Sequence, residues 1–273
     1  MGVSVSAAAR RRLVVRVKRS RTERILLVLL LPSIILIAWF AGTSLFIDGR
    51  SFLNPYFYPP FQRIIEAGVN LFKGKHLQLG ILYSLTRIVV STLISAAISI
   101  PLAIVMASSE RYRSLLDFLV KLRYLPAFAL LPLIILIAGV EEADKISFLV
   151  VSITLYLLPS AIVALDAVPD QLIDTARTLG ASESQVVRRV LIPAALPDIS
   201  QSFVVINGIG WNALMVAEII NARHGLGFIL NMSRYRGQMD AVIFGLVVIY
   251  VIAVVMDSGI KHTIRRVFRW KYE

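Results

Sequence analysis

Residues 172–193 read LIDTARTLGASESQVVRRVLIP, a stretch polar enough for water that lies between two apolar runs each long enough to cross a bilayer. The spacing predicts a short helix with Leu172, Ala176 and Leu179 on one face and Asp174, Thr175 and Thr178 away from it. Gly180 ends that helix, because glycine takes the left-handed conformation that a helix terminus favours. Ser182 and Gln185 have capping-box spacing, so a second helix is expected to start there and run to about Pro193. Two short helices about a glycine hinge, set in a loop between membrane spans, offer that loop to another protein.

Outward from this loop, composition sets the class. The chain has 273 residues, 57% of them hydrophobic and only 17% charged, with mean hydropathy +0.76. That balance fits neither an ordinary water-soluble fold nor a disordered chain, and it implies an all-α integral membrane protein. Cysteine is absent, which excludes disulfides and cysteine-ligated metal centres. His76, His224 and His262 are far apart and lack metal-site spacing. The net charge of +12 is concentrated beside the spans, with eight Lys/Arg before Ile25 and five after Asp257. Basic ends of that kind meet anionic lipid headgroups, so the bilayer is the expected partner and nucleic acid is not. The uncharged run from Ile25 to Ile47 is too long for a signal-peptide core and reads as a retained span.

About six transmembrane helices are expected. The first is centred on Ile25 to Phe46, and a mixed linker over 48–80 follows, with an amphipathic helix from Phe61 to Phe72. The second span covers about Leu82 to Ala107, with Ser84, Ser91, Ser95, Ala96 and Ser99 as a small-residue stripe for close helix packing. A polar connection over 108–124 leads to a third run, Tyr124 to Val140, interrupted by Pro126 and Pro132. After the acidic break Glu141, Glu142 and Asp144, a fourth run spans Ile146 to Leu165. The fifth starts near Leu196 and reaches about Ile220, and the sixth covers about Ala241 to Met256. The expected divisions are a basic segment 1–24, a first span with external linker 25–81, a core 82–257 containing the loop 168–195, and a basic tail 258–273. Six spans put twenty of the 29 Lys/Arg on the side of the termini and eight on the other, which assigns both termini and the 168–195 loop to the cytoplasm.

The loop resembles the signature of the membrane-spanning permease subunits of binding-protein-dependent ABC importers: Glu-Ala-Ala, three residues, Gly, nine residues, Ile-x-Leu-Pro. Here the triplet is Asp174, Thr175 and Ala176, then Gly180, then Val190-Leu191-Ile192-Pro193. Spacing is complete, while the first two triplet positions depart from Glu and Ala. RTLGAS (177–182), RRVLIPAALP (188–197), WNALMVAEII (211–220) and GLGFIL (225–230) resemble the branch that imports aliphatic sulfonates, taurine, nitrate and related anions. The resemblance implies a type I ABC importer transmembrane fold in the cell inner membrane, working as a homodimer whose two copies form the path. It further implies an ATP-binding cassette ATPase dimer at the cytoplasmic face and a soluble or lipid-anchored substrate-binding protein outside. Leu172, Asp174, Thr175, Ala176, Arg177, Gly180 and Pro193 are then the residues coupling to the ATPase.

Chemistry inside the chain points the same way. The nearest match to a phosphate loop, Gly74-Lys75, has His76 where Ser or Thr is needed and Val69 where a glycine is needed, so ATP and Mg are expected on a partner and no cofactor here. No Gly-x-Ser-x-Gly elbow or His-Glu-x-x-His pair is present, so no enzymatic activity is expected. Polar residues in spans are costly and usually have a task, which makes Arg87, Asn207, Trp211, Asn212 and Glu218 the pathway candidates. Arg87 and Glu218 fall at similar depth and are expected to be able to pair. The rival reading is a self-contained secondary carrier or channel, which predicts inverted repeats and mid-membrane charges.

Overall fold

A computed structural model describes residues 20–44, 46–47, 50–51, 54, 56–74 and 76–272; most of the basic segment expected over 1–24 lies outside them. The chain divides into two compact units, Met1–Gln62 and Arg63–Glu273.

The first unit holds helix α1 (Arg21–Ser44), which tolerates Pro32 in its interior, and a two-stranded antiparallel hairpin, β1 (Phe46–Ile47) with β2 (Arg50–Ser51). Within the linker expected from residue 48, Arg50 and Ser51 thus form a strand paired with Phe46 and Ile47. The Trp39 indole N–H donates to the Pro59 carbonyl at 3.3 Å, and its ring meets Tyr58 edge-on.

In the second unit, α2 (Phe61–Lys73) buries Ile64 and Gly68. Gly68 sits on the Phe244 ring so closely that an added Cβ would come within 2.6 Å of ring carbons. Among the described residues, four helical stretches are long and apolar enough to cross a membrane: α3 (His76–Ser108), α6 (Glu142–Asp166), 183–220 and α11 (Met239–Val267).

Helices α3 and α6 lie parallel in a fixed register. The Ser91 hydroxyl donates to the Ile146 carbonyl at 3.4 Å and Ser95 to Val150 at 3.1 Å, each pair 55 residues apart. Arg87 reaches Glu142 with the same offset. One step further along, Ser99 and Thr154 have buried hydroxyls without a partner among the described residues. Of the small-residue stripe, Ser91, Ser95 and Ser99 are fully buried on the face where the two backbones approach, whereas Ala96 is only partly covered and Ser84 turns to Glu218.

The third apolar run does not form one straight span. Helix α4 (Glu110–Lys121) and the 3₁₀ turn Leu122–Tyr124 are followed, past Pro126, by a 3₁₀ turn Ala127–Leu130 and helix α5 (Leu131–Ala138), and the two halves meet at 99°. Pro126 biases Leu125 away from helical geometry, and Pro132 sits in the first turn of α5, where its missing N–H has no cost. Eight residues make α5 about 12 Å long, short of a bilayer core.

Pro193 likewise fails to end a helix. The loop holds α7 (Asp170–Thr178) and α8 (Glu183–Val186), then a π turn, Val187–Leu191, that runs directly into α9 (Ile192–Asn221). The Ile192 N–H bonds to Val187, five residues back, and this widened turn makes room for the proline ring that a regular helix would reject. After α10 (Leu226–Tyr235), α11 continues to Val267, so residues 258–267 of the expected tail are helical, and α12 (Arg269–Tyr272) follows.

Among the described residues, one apolar cluster, including Met106, Leu158, Leu165, Leu191 and Ile199, packs beneath the 168–195 loop. Another, including Leu77, Ile88, Phe148, Trp211 and Leu226, fills the opposite end.

Candidate functional site

The loop is built as a rigid pair on a packed base. Val168, Val186 and Leu191 are buried, whereas α7 buries no residue at all. Gly180 has φ +83°, and around it the Gly180 N–H bonds to the Arg177 carbonyl at 2.9 Å and the Ala181 N–H to Ala176 at 3.0 Å. Those two bonds are the pair of a Schellman motif, which satisfies carbonyls the helix end would leave bare. Ser182 then opens α8 in a capping box, its N–H received by Gln185 Oε1 at 2.8 Å.

Arg177 spans the hinge, binding Glu183 through Nε at 2.9 Å and Nη2 at 3.0 Å, and it lies 3.7 Å from Asp174. The Glu183 carboxylate, foremost by that hydrogen bond, raises the guanidinium pKa further above its ordinary value. Thr175 and Thr178 turn their hydroxyls back onto the Gln171 and Asp174 carbonyls, so the threonine in place of the family's alanine is satisfied within its own helix. Among the exposed polar side chains two apolar ones stand uncovered: Leu172 is half exposed and Leu179 is 83% exposed, and apart from its chain neighbours no described atom lies within 4 Å of a Cβ placed on Gly180. Ala176 is only partly covered and shares its shielded side with Ile173 rather than with Leu172 and Leu179. Pro193 belongs to the base of the loop, in the first turn of α9.

At the other end of α6 and α9, Arg87 and Glu218 meet. Arg87 is 2% exposed; Nη1 donates to Glu218 Oε1 and to the His224 carbonyl, each at 2.7 Å. Nε and Nη2 grip both oxygens of Glu142 at 2.7 and 2.6 Å. Ser84 donates to the Glu218 carboxylate at 2.7 Å and accepts the Leu226 N–H, while the Gly227 N–H reaches Glu218 Oε2 at 2.8 Å. Gly225 and Gly227 are required here, since an added Cβ would fall 2.4 and 2.7 Å from Glu218 atoms.

Of the expected pathway candidates, Arg87 and Glu218 pair inside the bundle, and neither side chain is presented outward. Asn207 and Trp211 are also buried; Asn207 Nδ2 binds the Ala253 carbonyl at 3.1 Å, and the Trp211 indole N–H has no partner among the described residues. Asn212 alone of the five candidates is exposed. It lies on one strip of α9 with Gln201, Val205 and Gly208, which carries polar and backbone surface that lipid would not favour. Near the loop end of that helix, an open recess of about 450 Å³ is lined by Arg123, Tyr156, Ser160, Asp198 and Ser202.

Sequence reasoning missed Glu142, read as part of an acidic break, and Ser84, read only as a small packing residue. It also passed over the buried neighbours Asp144 and Lys145, which pair at 3.1 Å. The matching offset between Arg87–Glu142 and the serine–carbonyl pairs was available in principle, but only once the helix register was known. No group of three or more metal-binding side chains occurs among the described residues.

The chain is 32% identical to the taurine transport system permease protein TauC of Escherichia coli, over 88% of each chain. It is 28% identical to the putative aliphatic sulfonates transport permease protein SsuC of Bacillus subtilis, over 89% of this chain and 87% of that one. Its fold matches a chain of the inward-facing MetNI methionine ABC transporter with TM-score 0.63 and 22% identity, covering 70% of this chain and 95% of that one. Residues 99–269 match the model of the binding-protein-dependent transport system inner membrane components, and the chain belongs to that family.

Proposed function

We propose that this chain is one of two identical membrane subunits of an ATP-driven importer for a small anion such as an aliphatic sulfonate, taurine or nitrate. The names of the similar permeases support the solute class, and the basic ends support an inner-membrane orientation with both termini and the loop 168–195 in the cytoplasm. In this reading the chain catalyses nothing. An ATPase pair binds ATP and Mg, and a binding protein delivers solute at the outer face.

The observation that carries the reading is the hinge at Gly180. Asp174, Thr175, Arg177, Thr178, Ser182 and Glu183 are engaged within the loop, yet Leu172 and Leu179 stand exposed on a rigid base, which supports reading this face as a surface for a partner. Closing of the ATPase pair would push the loop, and α6 and α9 leave it as rigid rods. The exposed strip with Gln201, Gly208 and Asn212 is the best candidate for the face that a second copy completes into a path. A self-contained carrier would need exposed mid-membrane charges, whereas the buried Arg87 and Glu218 are fully engaged at one end.

Gly180→Trp in the complete transporter is the direct test. Its indole meets empty space within this chain, so the permease should fold, with backbone strain of about 1–2 kcal/mol at the positive φ. Binding-protein-stimulated ATP hydrolysis and taurine uptake in proteoliposomes should both be lost; full retention of both would overturn coupling through this loop.

A further inference from the structure

We infer that Arg87 is a positioning residue for the segment 222–227, carrying movement of the coupling loop to the opposite end of the molecule. This rests on the reading that residues 172–193 bind the ATPase. Two helices leave that loop, α6 backwards and α9 forwards in sequence, with lengths of about 37 and 45 Å. Their far ends carry Glu142 and Glu218, and one arginine from a third helix holds both.

The clamp is directional. A guanidinium offers its donors in a fixed planar fork, so Glu142 fills one edge and Glu218 shares the remaining nitrogen with the His224 carbonyl. A relative shift of α6 and α9 cannot be absorbed by stretching all of these bonds. The fork must turn with one carboxylate or release the other, and release leaves a buried charge unpaired. Coupling through such a clamp is therefore stepwise.

The same fork fixes the connection between α9 and α10. Residues 222–225 are not helical, and their bonds to the bundle run through the node: His224 O to Arg87, Leu226 N to Ser84 and Gly227 N to Glu218. The His224 ring stacks on Tyr83 at 5.0 Å, and Tyr83 lies 5.5 Å beneath the Arg87 guanidinium. A turn of Arg87 thus moves the backbone of 222–227 together with the wall of a recess of about 420 Å³ that includes Glu141, Arg223 and His224.

Glu142 gives the clean variant, since its side chain is 52% exposed and its loss leaves Arg87 paired with Glu218. Hydrogen–deuterium exchange is measured on the full complex in lipid nanodiscs, without nucleotide and with vanadate-trapped Mg-ATP. In the unaltered protein, exchange should change in both 170–193 and 222–230. In Glu142→Ala the response at 170–193 should persist, while that at 222–230 should fall at least about fivefold, the lower edge of ordinary coupling between sites. Glu142→Asp, which keeps the charge, should restore part of it. An unchanged response at 222–230 in Glu142→Ala overturns the role of Arg87 and leaves ATPase coupling intact. Absence of any response at 170–193 in the unaltered protein overturns the coupling reading, and this inference with it.

Discussion

The two ends of the α6–α9 pair solve opposite problems. At the loop end, polar groups are satisfied by near neighbours in sequence: Arg177 by Glu183, Ser182 by Gln185, and the α7 carbonyls by the turn at Gly180. At the far end, all but the Gly227–Glu218 bond join elements separated by 55 to 142 residues. Local satisfaction gives a small rigid body that needs nothing further from its own chain and leaves apolar side chains for another. Satisfaction across helices gives a knot that can change only if several elements move together. The loop is thus suited to being pushed, and the node to registering the push.

Breaking the node should produce the largest effect. Arg87→Ala leaves Glu218 buried without its cation and is expected to lower stability by about 3–5 kcal/mol, read from unfolding in mixed detergent micelles. A cycle with Glu218→Ala should be non-additive; losses that sum to within about 0.5 kcal/mol would mean the two act separately. At the loop end, the contrast predicts loss of binding without loss of stability. Leu179→Asp should leave the unfolding midpoint in place, since the side chain touches little of its own chain, yet weaken capture of the ATPase subunit about tenfold or more. That factor corresponds to the worth of burying one leucine, about 1.5–3 kcal/mol. A titration showing unaltered affinity would remove Leu179 from the contact.

The smallest effect sharpens the picture between the two ends. Ser95→Ala removes one hydroxyl from the α3–α6 seam but keeps its close approach, so only about 0.6 kcal/mol should be lost in the same unfolding assay. A loss several times larger would mean that the seam is held by hydrogen bonds more than by packing.

The loop was readable because its signals are local. A glycine, a capping pair and a proline at fixed spacing act within a few residues, and the Schellman turn at Gly180 and the cap at Ser182 need no distant contact. Pro193 was misread for the complementary reason: whether a proline ends a helix depends on whether the preceding turn can widen, and Val187–Leu191 does so. The bent segment about Pro126 shows the same limit. Its apolar run is long enough on paper, but the chain turns by 99° inside it.

Composition and local spacing by themselves determined a multi-span membrane chain with one water-facing hinge. Those properties follow from transfer of side chains to lipid and from backbone rules that act within a turn. Tertiary structure decided which polar span residues are spent inside the bundle and which look outward, placing Arg87, Glu218, Asn207 and Trp211 within and Asn212 outside. In water a buried helical face is marked by apolar periodicity, but in a bilayer both faces are apolar, so the sequence pattern loses its inside and outside. Only the register between α3, α6 and α9 brings one arginine to two carboxylates.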